Sequence, residues 1–261
     1  MASFLAVVAY GCIWPLILRL LGAPVPSDAL GIFLQSQLGK YLPGSVWHYA
    51  GRVGIARRRG VPARVTLSSL GVEVGASALA AAIVGTLVLP LSIALPLAVA
   101  LIGIVVAASR LARTTRLERW LSRRVPFEGV AGAVRAMPAS TVLYLPVWAV
   151  YGVALWLTAR AFFPVPVGEV AFFAGAFALG WLAGMVVVFA PGGIGVREAI
   201  LVALLGPRIG HAEAIVVAAA SRVLLTSIDV LAGAVALGLS RRARPRGDSP
   251  LPHVSSGRTT S

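Results

Sequence analysis

Residues 65–109 contain a single ionisable side chain, Glu73. A water-soluble domain cannot hide a stretch of that length, whereas lipid selects for it. About 20 consecutive apolar residues carry a helix across the hydrocarbon core. Leu89-Pro90 divides the stretch, which therefore reads as two spans, 65–88 and 91–109. Comparable runs at 2–22, 140–162 and 213–239 bring the expected full spans to five. No basic segment precedes the first run, so it reads as a spanning helix and not as a signal peptide. Composition agrees: 58% of the residues are hydrophobic and only 12% are charged, about half the usual globular share. Disorder, collagen and a disulfide scaffold are excluded. The single cysteine, Cys12, permits neither an intrachain disulfide nor a cysteine-based zinc site. The expected fold class is all-α, a polytopic membrane protein. Residues 1–240 form one integral membrane domain, and the Arg-, Pro- and Ser-rich residues 241–261 form a disordered basic cytoplasmic tail.

Two stretches do not fit simple spans. In residues 27–57, Ser27 is the expected N-cap of a helix of about 14 residues, with Asp28 in its first turn. Leu42-Pro43-Gly44 breaks that helix, and a second short piece runs from Ser45 to Ala56. In residues 169–206, an apolar helix ends at Ala190, Pro191-Gly192-Gly193-Ile194-Gly195 breaks it, and 197–206 give a helix of about 15 Å, half a membrane.

Charge placement orders these pieces. The chain has 23 basic and 9 acidic residues, a net charge of +14. In a soluble protein that excess would point to nucleic acid. Here most of it clusters in the breaks between apolar runs, which marks a membrane face, and no nucleic-acid partner is expected. Arg57, Arg58, Arg59 and Arg64 mark one cytoplasmic segment. A second group lies between Arg110 and Arg135. Arg241, Arg242, Arg244 and Arg246 mark a third. Parity then requires 27–57 and 169–206 to enter and leave on one side each, from opposite faces. That is the pattern of re-entrant hairpins in an inverted repeat, whose broken helices meet near the midplane. The competing reading has 169–190 crossing fully and 197–206 lying at the interface.

A charge near the bilayer centre costs roughly 2.5–3.5 kcal/mol on insertion scales, so intramembrane charges are site candidates. Glu73 shares a helix face with Thr66, Ser69 and Ser77, and sits between Gly71 and Gly75. The last span carries Arg222, Thr226 and Asp229 on one face. Arg222 and Asp229 lie about 10 Å apart, and either share a polar network or pair elsewhere. These four residues form an expected intramembrane polar path. The tip holding Gly192, Gly193 and Gly195, followed by Arg197 and Glu198, presents backbone amides at a helix start beside a guanidinium. That combination suits a phosphate. A plain helix break with Glu198 as cap is the alternative. Lys40 and Arg52 are the cations of the opposite tip. Tyr41, Trp47 and Tyr49 read as interfacial anchors, and His48 as an interfacial histidine. Neither a metal-ligand spacing nor a nucleotide-binding loop is present, so no metal or other cofactor is expected.

Lys40-Tyr41-Leu42-Pro43-Gly44 with Gly51-Arg52, then Glu73, then Pro191-Gly192-Gly193-Ile194-Gly195-Val196-Arg197-Glu198 resemble the transmembrane region of the lysylphosphatidylglycerol synthase family. The resemblance covers roughly residues 1–240. It implies a multi-pass protein of the bacterial inner membrane with a lipid-translocase role. In bifunctional members this region moves aminoacyl-phospholipid between leaflets, and stand-alone relatives handle other lipids, including lipid-linked sugars. Compared with the family pattern, the chain starts at the second membrane helix, which implies a shortened start. The soluble aminoacyl-transfer domain has no counterpart, so synthesis of lysyl-lipid is not expected.

The expected function is translocation of an anionic phospholipid or a polyprenyl-phosphate-linked glycolipid, not an enzymatic reaction. Lys40, Arg52, Gly192, Gly193, Gly195, Arg197 and Glu198 are expected to hold the head group. Membrane lipid is the expected ligand, with a glycosyltransferase or other lipid-pathway enzyme as protein partner. The alternatives are a membrane glycosyltransferase or lipid-modifying enzyme, and a non-transporting scaffold of a glycolipid pathway.

Overall fold

The computed structural model describes residues 1–42, 46–111, 130–187 and 193–242. They form nine α-helices with short 3-10 turns, and the described residues contain no strand. The helices are α1 (Ala2–Leu20), α2 (Ala29–Gln37), α3 (Trp47–Arg58), α4 (Ala63–Gly85), α5 (Leu91–Leu111), α6 (Val130–Arg160), α7 (Val170–Val186), α8 (Val196–Ile209) and α9 (His211–Arg242). The tail beyond Arg242 and the tip residues 43–45 and 188–192 lie outside the described residues.

Five helical segments are long and apolar enough to cross a membrane: Ala2–Leu20, Ala63–Val88, Gly132–Arg160, Val167–Met185 and His211–Arg242. The chain is a multi-pass membrane protein. The set differs from the expected one in one member. The 167–185 segment spans about 28 Å by itself and qualifies, whereas the qualifying apolar stretch of α5 is the shorter Leu91–Ile104. α6 starts ten residues before the expected 140, because Pro138 and Pro146 lie inside the helix without ending it. Neighbouring helices can satisfy the backbone groups that a proline frees. Asp28, not Ser27, is the N-cap of α2, and α2 proper is only nine residues long, continued by a 3-10 turn at Leu38–Tyr41.

The packing follows a twofold pattern. α1 packs on α2 as α6 packs on α7, and α3 packs on α4 as α8 packs on α9. The first arm of each hairpin crosses to the other half: α2 lies on α9, and α7 on α4. The main core joins both halves through Tyr144, Trp148, Phe173, Phe177, Leu201 and Leu205. A second cluster, built on Trp14, Leu18, Ile32 and Phe33, seats the first hairpin against α1. Large apolar side chains such as Leu91, Leu95, Val223, Leu231 and Val235 point outward, more than 40% exposed. Water would not tolerate such a belt, but acyl chains do.

Candidate functional site

Each hairpin closes where a glycine of its first arm meets backbone of the second. A Cβ on Gly39 would stand 2.7 Å from the His48 nitrogen, and one on Gly184 would stand 3.3 Å from Gly193 Cα. Gly193 has φ +70° and a built Cβ only 2.9 Å from Gly184 Cα, so this crossing admits no side chain there. Gly180 and Gly184 both face the start of α8, so this glycine pair lets the two helices approach closely. Gly71 meets nothing and Gly75 meets only the end of Met137, so that glycine pair does not join two backbones.

Described residues flanking both breaks line one cavity of about 410 Å³. Lys40, Glu73, Gly193, Arg197, Arg222, Thr226 and Asp229 all line it. Arg197 is the decisive residue. It lies in the first turn of α8, is only 9% exposed, and sits over the Phe177 ring at 4.3 Å. Its Nε and Nη2 have no hydrogen-bond partner among the described residues. A ring face offsets part of the lost hydration but leaves the guanidinium's donors unmatched.

The other charges are matched. Arg52 is fully buried, and its Nη1 lies 2.5 Å from Glu73 Oε2. Arg52 Nε also donates to Ser36 Oγ at 3.1 Å, and the guanidinium lies 4.5 Å from the Phe33 ring centre. Lys40 Nζ forms an ion pair with Asp229, whose Oδ2 also accepts a 2.7 Å hydrogen bond from the Tyr41 hydroxyl. Arg222 Nη1 lies 3.8 Å from Glu198 Oε1.

Comparison with known families agrees with a membrane-helical protein of this kind. The family model for the lysylphosphatidylglycerol synthase TM region matches residues 1–233. The chain belongs to that family. Neither the curated proteins nor the solved structures give a match.

Within this member of the lysylphosphatidylglycerol synthase TM family, the expected site residues fall into three groups. Lys40, Gly193, Arg197, Glu73, Arg222, Thr226 and Asp229 meet at the cavity. Arg52 is not on the cavity wall; it pairs with Glu73, which is. Gly195 and Glu198 are also off the wall. The Gly195 amide is taken by Glu198 Oε2 at 2.7 Å, so this donor is satisfied by the helix's own cap. Gly192 lies outside the described residues. Arg222 and Asp229 each have an ion pair elsewhere, with Glu198 and Lys40 respectively.

Sequence reasoning missed the aromatic wall. Tyr10, Tyr49, Trp148, Tyr151 and Trp181 line the cavity, and Tyr151 stacks on Phe177 at 5.0 Å. The available signal was the placement of Trp148, Tyr151 and Trp181 well inside spans, where an interfacial anchor has no reason to be. Tyr41 and His48, read as interfacial, are also on the wall.

Proposed function

We propose that this protein binds the charged head of an anionic membrane lipid in its central cavity and carries it between leaflets of the bacterial cytoplasmic membrane. The carrying observation is Arg197: a guanidinium nine-tenths buried, facing a cavity, with two donor groups unmatched among the described residues. Burying an unpaired cation costs several kcal/mol, and an anion arriving from the ligand would remove that cost. Family membership supports a role in lipid metabolism or transport. The substrate is an anionic phospholipid or a polyprenyl-phosphate-linked glycolipid, and movement proceeds without covalent chemistry on the lipid.

In this reading the two hairpins dip into the membrane from opposite faces, and their glycine crossings are the surfaces that shift. The twofold packing pattern supports rocking of one half against the other. A glycosyltransferase or other lipid-pathway enzyme supplies or consumes the cargo. The test is a leaflet-sidedness assay in proteoliposomes with head-group-labelled phosphatidylglycerol. The wild-type chain should expose the inner-leaflet label to an external reagent. Arg197→Ala should lose at least about tenfold in rate, the scale of one charge-assisted contact. A wild-type chain that reconstitutes folded yet moves no label would overturn the reading.

A further inference from the structure

The lysines, arginines and carboxylates around the cavity form a small set among the described residues. The cations are Lys40, Arg52, Arg197 and Arg222, and the carboxylates are Glu73, Glu198 and Asp229. Three pairs close within this set: Arg52 with Glu73, Lys40 with Asp229, and Arg222 with Glu198. Arg197 remains. His48 also lines the wall. Among the described lysines, arginines and carboxylates, the cavity therefore holds one positive charge in excess.

From this count we infer that the site selects lipids by charge, taking a phosphodiester with one net negative charge in preference to phosphomonoesters, pyrophosphates and zwitterions. The inference rests on the lipid-binding reading and narrows it. In a medium of low dielectric, a complex that ends neutral is favoured over one that retains a charge of either sign. A monoanion neutralises Arg197 without disturbing the three pairs. A dianion leaves one charge unmatched unless it draws Lys40 away from Asp229, which then strands Asp229 with only the Tyr41 hydroxyl. A zwitterion brings its own cation beside Arg197 and gains nothing. Asp229 thus acts as a specificity-determining residue, because it cancels Lys40 and sets the excess at one. The chemistry is shared by phosphatidylglycerol and by a polyprenyl-phosphate monosaccharide, since both are phosphodiester monoanions.

Native mass spectrometry of the full chain in mild detergent at pH 8 tests this. The probes are phosphatidylglycerol, phosphatidic acid and phosphatidylethanolamine with identical acyl chains, and a polyprenyl-phosphate monosaccharide. The wild-type chain should retain phosphatidylglycerol about tenfold over phosphatidylethanolamine and several-fold over phosphatidic acid. Asp229→Asn should move the preference toward phosphatidic acid, and Lys40→Gln should abolish the preference for phosphatidylglycerol over phosphatidylethanolamine. The double variant Lys40→Gln/Asp229→Asn restores an excess of one and should restore the wild-type order, which structural damage would not do. Whichever phosphodiester is retained more strongly identifies the carrier chain, and either supports charge matching. If wild type retains lipid and Arg197→Gln weakens it, but neither single variant reorders the probes, charge matching fails and the lipid-binding reading survives. If no probe is retained above a soluble control protein, both fail.

Discussion

The two broken hairpins are alike at their bases and unlike at their tips. At the base of the first, Asp28 caps α2 and Arg59 follows α3, with Nη1 2.5 Å from Asp28 Oδ2. At the base of the second, Glu169 holds the N-cap position of α7 and Arg208 lies in the last turn of α8, with Nη1 3.0 Å from Glu169 Oε2. Both clasps put acid at a helix start and arginine at a helix end, where the dipoles favour them. Near the tips the symmetry fails. Arg52 in the first hairpin has a carboxylate, a hydroxyl and an aromatic face, and its Nη2 alone has no partner among the described residues. Arg197 in the second has an aromatic face and unmatched donors. One copy of the motif uses its buried arginine to hold the fold; the other leaves it for the cavity.

The strongest way to break this comparison is to truncate both arginines. Arg52→Leu leaves Glu73 buried without its counter-ion and should destabilise the protein by about 3–5 kcal/mol. Adding Glu73→Leu should recover most of that loss, because an apolar pair replaces an ion pair of similar volume. Arg197→Leu removes an unmatched buried cation and should cost less than about 1 kcal/mol, or stabilise. Thermal unfolding in detergent, followed by size-exclusion chromatography, measures all three. Equal losses for Arg52→Leu and Arg197→Leu would erase the distinction between a structural and a site arginine.

The glycine crossings come next and should treat the hairpins alike. Gly39→Ala and Gly193→Ala each force a methyl group into backbone, and the second also requires a left-handed alanine. About 2–3 kcal/mol is expected for each, from overpacking and backbone strain. Gly51→Ala, inside α3 with nothing within 4 Å of the new Cβ, should instead gain up to about 1 kcal/mol. A harmless Gly193→Ala would mean that the second crossing is looser than the first.

These contrasts mark what the sequence could and could not announce. The helical membrane class was legible because runs such as 65–109 leave no other solution. The two breaks were legible because Pro-Gly pairs end helices for local reasons. Partners across the fold were not legible: nothing local says that Arg52 turns to Glu73 or that Lys40 reaches Asp229 near the other end of the chain. Glu198 shows the limit well, because its cap on Gly195 follows from spacing, but its approach to Arg222 depends on how α8 meets α9. The aromatic wall escaped for a related reason. A tryptophan inside a span has one hydropathy whether it faces lipid, core or cavity, and only packing decides which.

The contact between the first tip and α9 sharpens the comparison at a smaller scale. Tyr41→Phe removes a 2.7 Å hydrogen bond to Asp229 while leaving the Lys40 ion pair in place. A loss of about 1.5 kcal/mol is expected, at the lower end for a hydrogen bond to a charged acceptor, because the site is partly open. Unfolding of the single variant against wild type at fixed detergent concentration reads this. No loss would mean that the carboxylate relies on Lys40 alone.

The base clasps should be the weakest features despite their short distances. The side chains are 39% and 31% exposed in the Arg59–Asp28 pair, and 47% and 26% in the Arg208–Glu169 pair. Solvent and salt screen such pairs, so Asp28→Asn and Glu169→Gln should each cost about 0.5 kcal/mol or less, vanishing in high salt. The arginines should separate the two hairpins again. Arg208 lies over the Phe172 ring at 4.1 Å, so Arg208→Ala loses packing as well as charge and should exceed Glu169→Gln. Arg59 has no ring partner among the described residues, so Arg59→Ala should match Asp28→Asn. If both arginine variants instead exceeded their acidic partners equally, the ring would contribute nothing, and the clasps would be equivalent down to their side-chain packing.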